Sequence, residues 1–591
     1  MRGLILIIFI SFFISGLSWA SKDWQTYYEK SDFKKTPRYA ETMDYCRRLD
    51  YASKWVKLTS FGKSPQGREL PLLIIDKHGN FAPEKVRKSG NVIVLVQAAI
   101  HAGESDGKDA GLMLVRDMVI SKKLDRLLDK VTFLFIPIFN VDGHERFGPY
   151  NRINQNGPEE MGWRVTAQNL NLNRDYLKAD APEMQAWLKM FDNWLPDLMV
   201  DCHVTDGADY QYAITYGLED SQNVAGPLRE FSDDFLEPYL DQKMAADNFP
   251  MFPYIMFKNW NDIRSGLVSG AASPRYSTGY GAVQNRIFYL IETHMLKDYR
   301  TRVTATEHLL IHMLELANQD AGKLKEVNRM ADEQTAKSLT GRYLPLVLKT
   351  SMKDSTFINF LGVKYDRIPS EISGADWVIY HADQPKTYRM PLFNKVEVSD
   401  SVKVPYAYLI PAEWTFAIEK LQLNGVKIRY LANDTTLSVS SYRFSNPQWQ
   451  EKPFEGHHRV SFQMDTVSER RAYPAGTAVI FLNQRTNRVI VNALEPKGPD
   501  SFISWGFWDT IFERKEYSEG YVLEKLARKM LAEDPALMEE FEEKVATDSS
   551  FAASSRERLN FFYERSPYWD KQINLYPVGK LMHPVSLRLK N

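Results

Sequence analysis

The sequence predicts an α/β fold in which a mixed, mostly parallel sheet is flanked by helices, followed by a β-rich domain and a C-terminal helical segment. Between residues 70 and 316, short apolar runs alternate with longer segments whose apolar residues recur every three or four positions, as expected when strands and helices alternate. The runs are apolar almost throughout, which is typical of parallel strands buried on both faces. Beyond residue 325, short runs rich in Val, Ile, Tyr and Phe are separated by turn signals, which indicates antiparallel strands.

The individual elements follow from these patterns in chain order. Apolar runs predict strands over 70–76, 92–99, 132–139, 198–200 and 288–292. Helical spacing predicts helices over 40–55, 108–120, 182–194, 304–316, 521–531 and 536–545. Ligands of such sheets bind outside the carboxyl ends of the strands. The residues that follow positions 99, 139, 200 and 290 are therefore expected to carry the chemistry.

Length and composition limit the architecture and exclude some partners. The chain has 591 residues, whereas single cores stop growing at roughly 250–300 residues. We therefore expect an α/β domain over 21–325, a β-rich domain over 335–500 and an aromatic and helical region over 501–591. The composition, 44% hydrophobic and 25% charged, is that of a folded protein. The formal net charge of −1 provides no global field to attract nucleic acid, so no nucleic-acid partner is expected.

The first twenty residues have the pattern of a secretory signal peptide. Arg2 provides a positive start, residues 3–17 are apolar or small, and residues 18–20 offer a small-residue cleavage site before Ser21. The alternative is an uncleaved anchor, because the uncharged stretch 3–21 approaches the length of a membrane span. With cleavage, the protein is expected to be secreted or periplasmic and to keep no stable membrane anchor.

The chain has two cysteines, Cys46 and Cys202, so a framework of disulfides does not stabilise it. A single Cys46–Cys202 bridge remains open. Cys202 directly precedes a candidate metal ligand, and neighbouring side chains of a strand point to opposite faces. We therefore expect Cys202 to be a small buried hydrophobic residue and not a ligand or nucleophile.

A histidine and a glutamate lie three residues apart at the end of the predicted strand 92–99. The imidazole of His101 and the carboxylate of Glu104 could converge on one ion at this strand-to-helix turn. Taken alone the pair is a weak signal, because a glutamate in this position can equally cap the helix that follows.

Two further residues lie where the strand-end rule places the site. His203 follows the predicted strand 198–200, and Glu292 ends the strand 288–292. Two histidines and one glutamate leave the fourth tetrahedral position open for water, which is the pattern of catalytic zinc. Zinc lowers the pKa of such a water from ~15.7 to about 7. A nearby carboxylate must then accept the proton, and Glu292 is the candidate base.

The order of the motifs resembles that of the zinc carboxypeptidase family, the funnel-shaped metallocarboxypeptidases, over roughly residues 40–320. The elements are Gly67-Arg68, His101-x-x-Glu104, Asn140-Val-Asp-Gly143, Asn173-Arg174, Asp201-x-His203 and Glu292. The resemblance implies that His101, Glu104 and His203 hold one Zn²⁺ ion. It also implies that Glu292 acts as the general base and then as the general acid.

The same resemblance implies how a peptide would be held. Asn173 and Arg174 would bind the terminal carboxylate of the substrate, for which a planar guanidinium is well shaped. Arg164 would polarise the scissile carbonyl group and stabilise the oxyanion. Arg152 is the rival for that role, and a surface salt bridge is the alternative for Arg164.

The sequence also departs from the family at two places. Asn171 stands where the family usually has the aspartate that accepts a hydrogen bond from a zinc-binding imidazole, which predicts lower metal affinity. Asp142 or Asp175 could take that part instead. The mobile tyrosine of the family has no clean counterpart, although Tyr276 and Tyr280 lie in the corresponding loop region.

The leading prediction is a metallocarboxypeptidase that acts on peptides with a free C-terminal carboxylate. The alternatives are a zinc amidase or deacylase, a carboxypeptidase of cell-wall stem peptides, and a non-catalytic peptide- or glycan-binding protein. The other histidines occupy no motif position. His308 and His312 lie four apart on the predicted helix 304–316 and could pair, but a helix-surface role is expected for them.

Overall fold

The computed structural model describes residues 24–219, 221–259 and 262–590. The predicted signal peptide, residues 1–20, lies outside them. The largest sheet has eight strands in the order β1-β2-β4-β3-β5-β10-β6-β7. These strands are β1 Val56–Lys63, β2 Glu69–Ile75, β3 Val92–Ala98, β4 Val131–Ile136, β5 Leu198–Thr205, β6 Ile214–Gly217, β7 Met251–Pro253 and β10 Ile287–His294. The four central strands β4, β3, β5 and β10 run parallel, and β2 and β6 pair antiparallel with β4 and β10 at the two sides.

Helices cover this sheet, and further helices occur along the chain as far as residue 565. They are α1 Tyr27–Lys30, α2 Tyr39–Ala52, α3 Pro83–Ser89, α4 Asp106–Val119, α5 Val141–Glu145, α6 Pro182–Trp194, α7 Gly226–Phe231, α8 Glu237–Ala246, α9 Ser277–Val283, α10 Tyr299–Gln319, α11 Ala321–Ser338, α12 Thr415–Leu423, α13 Asn487–Leu494, α14 Gly520–Glu533, α15 Pro535–Thr547, α16 Ser549–Ala553 and α17 Ser555–Arg565. Among those helices, none combines a membrane-spanning length with a sufficiently apolar composition.

Strand β3 shows why the apolar runs form the centre of the sheet. Val94 and Val96 face a core that includes side chains of α4 and α10, whereas Ile93 and Leu95 face a second core on the opposite side that includes side chains of α6. Each strand residue therefore loses apolar surface to water on one face or the other. Burial of a Val, Leu or Ile side chain contributes about 1.5–3 kcal/mol. The predicted mixed α/β sheet flanked by helices is confirmed.

The region beyond residue 340 is built mainly from antiparallel strands, as predicted. The remaining strands are β8 Met256–Asn259, β9 Asp262–Val268, β11 Tyr343–Thr350, β12 Thr356–Pro369, β13 Asp376–Phe393, β14 Val396–Lys403, β15 Ala407–Ile410, β16 Arg429–Leu431, β17 Thr435–Trp449, β18 Val460–Tyr473, β19 Ala478–Phe481, β20 Gly579–Leu581 and β21 Leu589–Lys590. Seven of them form a sheet in the order β18-β17-β20-β15-β19-β16-β21. Strands β17 and β18 form a long ribbon whose tip, residues 450–459, reaches the first half of the chain.

The two halves of the chain share hydrophobic core and sheet. The core around Trp187 of α6 includes Tyr408, Ile490 and Phe502 of the downstream region. A four-stranded sheet in the order β12-β13-β9-β8 joins strands from both halves. The predicted domain limits at 325, 335 and 500 stay a prediction, and α11 runs through residue 325.

Both cysteines are buried and free, so the Cys46–Cys202 bridge is not formed. Burial raises the pKa of the Cys202 thiol well above its usual value. Cys202 packs on Gly107 in the first turn of α4, where an added Cβ would lie 2.4 Å from the Cys202 Cβ. The cysteine therefore fills the contact between β5 and α4 as a small apolar side chain, which agrees with the prediction.

Candidate metal and peptide site

Three of the sequence-predicted residues converge at the carboxyl ends of β3 and β5. His101 and Glu104 lie in the loop between β3 and α4, and His203 lies in β5. Glu104 Oε1 is 3.1 Å from His101 Nδ1, and Glu104 Oε2 is 3.1 Å from His203 Nδ1. The two Nδ1 atoms are 3.2 Å apart. All three side chains are buried, and these distances bring one nitrogen of each imidazole and the carboxylate together at a common point.

The spacing of these atoms fits a tetrahedral ion. Metal bonds of about 2.0–2.1 Å place neighbouring tetrahedral ligand atoms about 3.3 Å apart, close to the observed 3.1–3.2 Å. The outer nitrogens are also held, because His101 Nε2 is 3.0 Å from Asn171 Oδ1 and His203 Nε2 is 2.9 Å from Asp201 Oδ2. Such outer acceptors fix the ring orientation of metal-binding histidines. The donor set and its surroundings therefore fit Zn²⁺.

The structure identifies Asn171 as the partner of His101. Asn171 Oδ1 also accepts a hydrogen bond from the backbone N–H of Asn173 at 3.0 Å. The two aspartates considered as substitutes are engaged elsewhere. Asp142 accepts from Ser64 and Arg68, and Asp175 accepts from Lys178 and from backbone N–H groups. A neutral amide therefore occupies the position of the expected carboxylate.

Glu292 lies beside the three converging side chains. It is in β10, directly opposite His203 of β5 in the parallel register. Its Oε2 atom is buried and makes no hydrogen bond to the described part of the chain. Burial raises the pKa of Glu292 to about 8, with His203 acting in the opposite direction and Glu104 adding to the rise. A cation held by the neighbouring ligands would lower this pKa, so the carboxylate would be available as a base.

Both candidate arginines reach the same carboxylate. Arg152 Nη1 lies 2.8 Å and Arg164 Nη1 lies 3.2 Å from Glu104 Oε1. The side chain of Arg164 is 41% exposed, whereas that of Arg152 is 13% exposed. Arg152 is also held by Gln155. Arg164 is thus the arginine with more freedom to turn toward a ligand, and Arg152 is the more firmly fixed.

Asn173 and Arg174 lie in a short 3₁₀ turn, Leu172–Arg174, next to the histidine pair. The Asn173 side-chain oxygen accepts from the backbone N–H of Ser277 at 3.0 Å, which ties this turn to α9. The guanidinium of Arg174 lies 4.4 Å from the ring centroid of Tyr276. Burial lowers the pKa of Arg174, although an arginine stays charged at neutral pH. The turn therefore presents a desolvated positive charge suited to an anion.

The tyrosines of the site differ in what they can do. Tyr280 is fully buried and donates to Asn424 Oδ1 at 2.8 Å, so it has a packing role. Tyr276 covers Arg174 and is partly exposed. Sequence reasoning missed Tyr254, whose pKa is raised by burial and by the carboxylate of Glu292. No periodicity or motif marks the segment around Tyr254, so this residue could not be predicted from the sequence.

Sequence reasoning also missed the contribution of the downstream region. Glu455, at the tip of the β17–β18 ribbon, accepts from the backbone N–H of Asn171 at 2.8 Å. Asp500 accepts from the backbone N–H of Arg275 at 3.0 Å and pairs with the Arg275 guanidinium. These contacts fix the segments before Arg174 and before Tyr276. The downstream region therefore supports one wall of the site.

A buried ion pair holds the helix and strand that flank the site. Asp106, the first residue of α4, accepts from Arg302 Nε at 2.9 Å and from Thr293 Oγ1 at 2.5 Å. Arg302 is fully buried. Thr293 follows Glu292 directly, so this pair joins the loop of Glu104 to the strand of Glu292.

Arg302→Ala is expected to lower the apparent free energy of unfolding by about 3–5 kcal/mol, because it leaves the buried carboxylate of Asp106 without its counter-charge. The measurement is a urea unfolding curve followed by circular dichroism. Arg329→Ala, which removes an exposed pair with Glu326, is the control and should cost at most ~1 kcal/mol. Equal stability of the two variants would show that the buried pair of Arg302 and Asp106 contributes no more to folding than the exposed pair of Arg329 and Glu326.

A segment of the chain that holds three residues of the site is similar to known proteins. The zinc carboxypeptidase family model matches residues 42–223, which include His101, Glu104 and His203 but not Glu292. "Carboxypeptidase 2" of Trichophyton rubrum is 22% identical over 498 residues, 80% of this chain and 85% of that protein. "Probable carboxypeptidase 2" of Arthroderma benhamiae is 21% identical over 487 residues, 80% of this chain and 86% of that protein.

Solved structures of carboxypeptidases are also similar to part of this chain. A putative carboxypeptidase A from Shewanella denitrificans matches with a TM-score of 0.36 at 17% identity, over 48% of this chain and 69% of that chain. A metallo-carboxypeptidase from Pseudomonas aeruginosa, in complex with (2-guanidinoethylmercapto)succinic acid, also scores 0.36, at 16% identity over 48% and 69%. Scores at this level add nothing to the argument about function. The match of the zinc carboxypeptidase family model over residues 42–223 confirms the resemblance for that part of the chain.

Proposed function

We propose that this enzyme is a zinc-dependent exopeptidase that removes the C-terminal residue of peptides carrying a free carboxylate. The observation that carries the proposal is the convergence of His101, Glu104 and His203 at tetrahedral spacing beside the turn of Arg174. Arg164 connects the group of metal-binding side chains with the turn of Arg174. It donates a hydrogen bond to Glu104, and its positive charge helps to lower the pKa of Arg174. The names of the fungal relatives support a carboxypeptidase.

Each side chain has a distinct part in this proposal. His101, Glu104 and His203 hold Zn²⁺, with Asn171 and Asp201 orienting the two imidazoles. A bound Zn²⁺ supplies a Lewis acid that lowers the pKa of a coordinated water to about 7. Glu292 accepts a proton from the attacking water through its unpaired Oε2 and returns it to the leaving amine.

The arginines place and stabilise the substrate. Arg174, with Asn173 beside it, binds the terminal carboxylate by a charge-assisted hydrogen bond in a partly desolvated setting. Arg164 turns from Glu104 toward the scissile carbonyl oxygen and stabilises the negative charge that develops there. Arg152 keeps Glu104 in position. This division follows from the larger exposed fraction of Arg164.

Export is part of the proposal. Residues 1–20 have the three regions of a signal peptide, so we propose that the enzyme is secreted or acts in the periplasm. The N-terminus of protein recovered from the periplasm or medium is expected to be Ser21, as read by N-terminal sequencing. Recovery with Met1 intact in the membrane fraction would instead identify an uncleaved anchor.

The activity is tested with peptide pairs that differ only in a free or an amidated C-terminus. The purified protein should contain zinc by elemental analysis and release one residue from each free peptide, as seen by mass spectrometry. The amidated peptides should stay intact on the same time scale. Cleavage of both members at equal rates would overturn the carboxypeptidase assignment, and hydrolysis of acylated amino acids alone would favour a deacylase.

Asn171→Asp is expected to increase zinc affinity by about 10-fold, because a carboxylate makes the imidazole of His101 a more basic ligand. The aspartate can still accept the N–H of Asn173. The measurement is competition for zinc with a chelator of known affinity. Asn171→Ala, which removes both acceptor functions, should weaken binding by about 10–100-fold. An unchanged affinity in both variants would show that Asn171 does not orient a metal-binding ring.

A further inference from the structure

A second group of metal-binding side chains lies where two helices meet, away from the proposed catalytic site. His308 and His312 are one turn apart on α10, and Asp247 directly follows the last residue of α8. Asp247 Oδ2 is 2.7 Å from His308 Nδ1 and 2.6 Å from His312 Nε2. A single carboxylate oxygen thus lies between two imidazole nitrogens that come from a different helix. We call these three residues the helix site.

A fourth residue holds one of the imidazoles in place. Glu315 Oε2 is 3.0 Å from His312 Nδ1, the nitrogen that faces away from Asp247. Glu315 is in turn paired with Arg126 at 2.8 Å. The arrangement of His312 and Glu315 repeats that of His203 and Asp201, in which a carboxylate fixes the outer nitrogen of a converging histidine. Such support is what metal-binding histidines usually have.

We propose that Asp247, His308 and His312 bind a second divalent transition-metal ion. Two imidazoles and one carboxylate suit Zn²⁺, whereas Ca²⁺ and Mg²⁺ prefer sets made of oxygen atoms. The side chains of His308 and Asp247 are 38% and 30% exposed, so an ion can enter from solvent and water can complete its coordination. The histidine spacing of four residues places both rings on one face of α10.

The observed distances define what binding requires. The nitrogen–oxygen separations of 2.6–2.7 Å are those of hydrogen bonds, whereas ligand atoms around zinc lie about 3.3 Å apart. Asp247 must therefore move outward by about 0.6 Å, the difference between the two separations. Its position at the end of α8 and its partial exposure allow this movement. The ion would then replace the hydrogen bonds that hold the three side chains together.

Occupation of the helix site would join α8 to α10. The chain continues from Asp247 through Phe249, whose ring lies 5.5 Å from His308, to β7 and Tyr254. The charge of Glu292 raises the pKa of Tyr254, so an ion at the helix site would also stabilise a segment that lies near the proposed active site. Ions that bind only the folded state stabilise it by an amount that grows with the logarithm of their concentration above Kd. The helix site is therefore proposed as a structural metal site.

The test counts zinc ions in variants of the full chain. Wild-type protein, His203→Ala, His308→Ala/His312→Ala and the triple variant are equilibrated with Zn²⁺ and dialysed, and the bound zinc is measured by elemental analysis. We expect two ions, one ion, one ion and none. One ion in both the wild type and His308→Ala/His312→Ala would overturn the proposal and leave the helix site as a hydrogen-bonded group of side chains.

A second readout is independent of activity and of the catalytic ion. Zn²⁺ should raise the Tm of His203→Ala, and this rise should disappear when His308→Ala and His312→Ala are added. His381→Ala in the same background is the matched control, because it removes a surface histidine paired with a single aspartate, Asp366, at 2.7 Å. It should keep the full rise in Tm. A zinc-dependent rise that survives loss of both helix-site histidines would also overturn the proposal.

Discussion

Glu292→Gln is expected to lower kcat for peptide hydrolysis by about 10²–10⁴-fold, the usual contribution of a positioned acid–base group. The amide is similar in shape but cannot accept the proton from water at neutral pH. The loss should appear in kcat more than in KM, because Glu292 is not part of the proposed carboxylate-binding turn. Steady-state kinetics on a peptide with a free C-terminus measure both constants.

The same variant separates catalysis from metal binding. Glu292→Gln should keep the zinc content of the wild type, since His101, Glu104 and His203 are unchanged. Glu307→Gln is the matched control, because burial also raises the pKa of Glu307, to about 7, on a helix outside the site. It should keep wild-type kcat. Full activity of Glu292→Gln would contradict the assignment of Glu292 as the base.

Arg174→Ala is expected to raise KM for free peptides by roughly 10- to 150-fold, because a hydrogen bond to a charged partner contributes about 1.5–3 kcal/mol. The preference for free over amidated peptides should fall by a similar factor, since amidated substrates never had this interaction. Ratios of kcat/KM for matched peptide pairs give the preference directly. Arg174→Lys should keep part of it, because an ammonium keeps the charge but loses the planar fork.

The control for Arg174 is an arginine outside the site. Arg264 is exposed and pairs with Asp262 on β9, so Arg264→Ala should leave both KM and the preference unchanged. If Arg174→Ala lowers kcat for free and amidated peptides equally and leaves KM alone, the terminal carboxylate is bound elsewhere. Arg275 would then be the next candidate, because its guanidinium lies 5.3 Å from the ring centroid of Tyr276.

The first half of the fold could be predicted because its signals are local. Each long apolar run became a buried strand, and the positions just after the runs carry His101, His203 and Glu292 in the structure. Strands β1, β6 and β7 were not predicted. Among the predicted elements the main differences are in length: the strand predicted over 198–200 extends over Leu198–Thr205, because polar residues such as Asp201 and His203 continue it. The side chains of Asp201 and His203 contact one another at 2.9 Å, and hydrophobic periodicity does not reveal such a polar pair.

The remaining features depend on contacts between distant parts of the chain. Tyr254 lies about forty positions before Glu292, and nothing in its neighbourhood marks it as part of a site. Glu455 reaches Asn171 across a separation of 284 residues. The contact of Glu455 with Asn171 forms because the β17–β18 ribbon folds back onto the first half of the chain. No local sequence pattern encodes the direction in which the ribbon folds. For the helix site, the four-residue spacing of His308 and His312 is visible in the sequence, whereas their contact with Asp247 depends on the tertiary structure.

The shared core around Trp187 bears on how the enzyme can be divided. A chain ending near residue 325 would lack Tyr408, Ile490 and Phe502 and would expose apolar side chains of the core that they share with α6. It would also lose Glu455 and Asp500, which support the peptide-binding turn. Apolar surface of that extent favours aggregation of the fragment. The downstream half is therefore an obligate folding partner, and proteolytic release of the family-matched segment would destroy the enzyme instead of activating it.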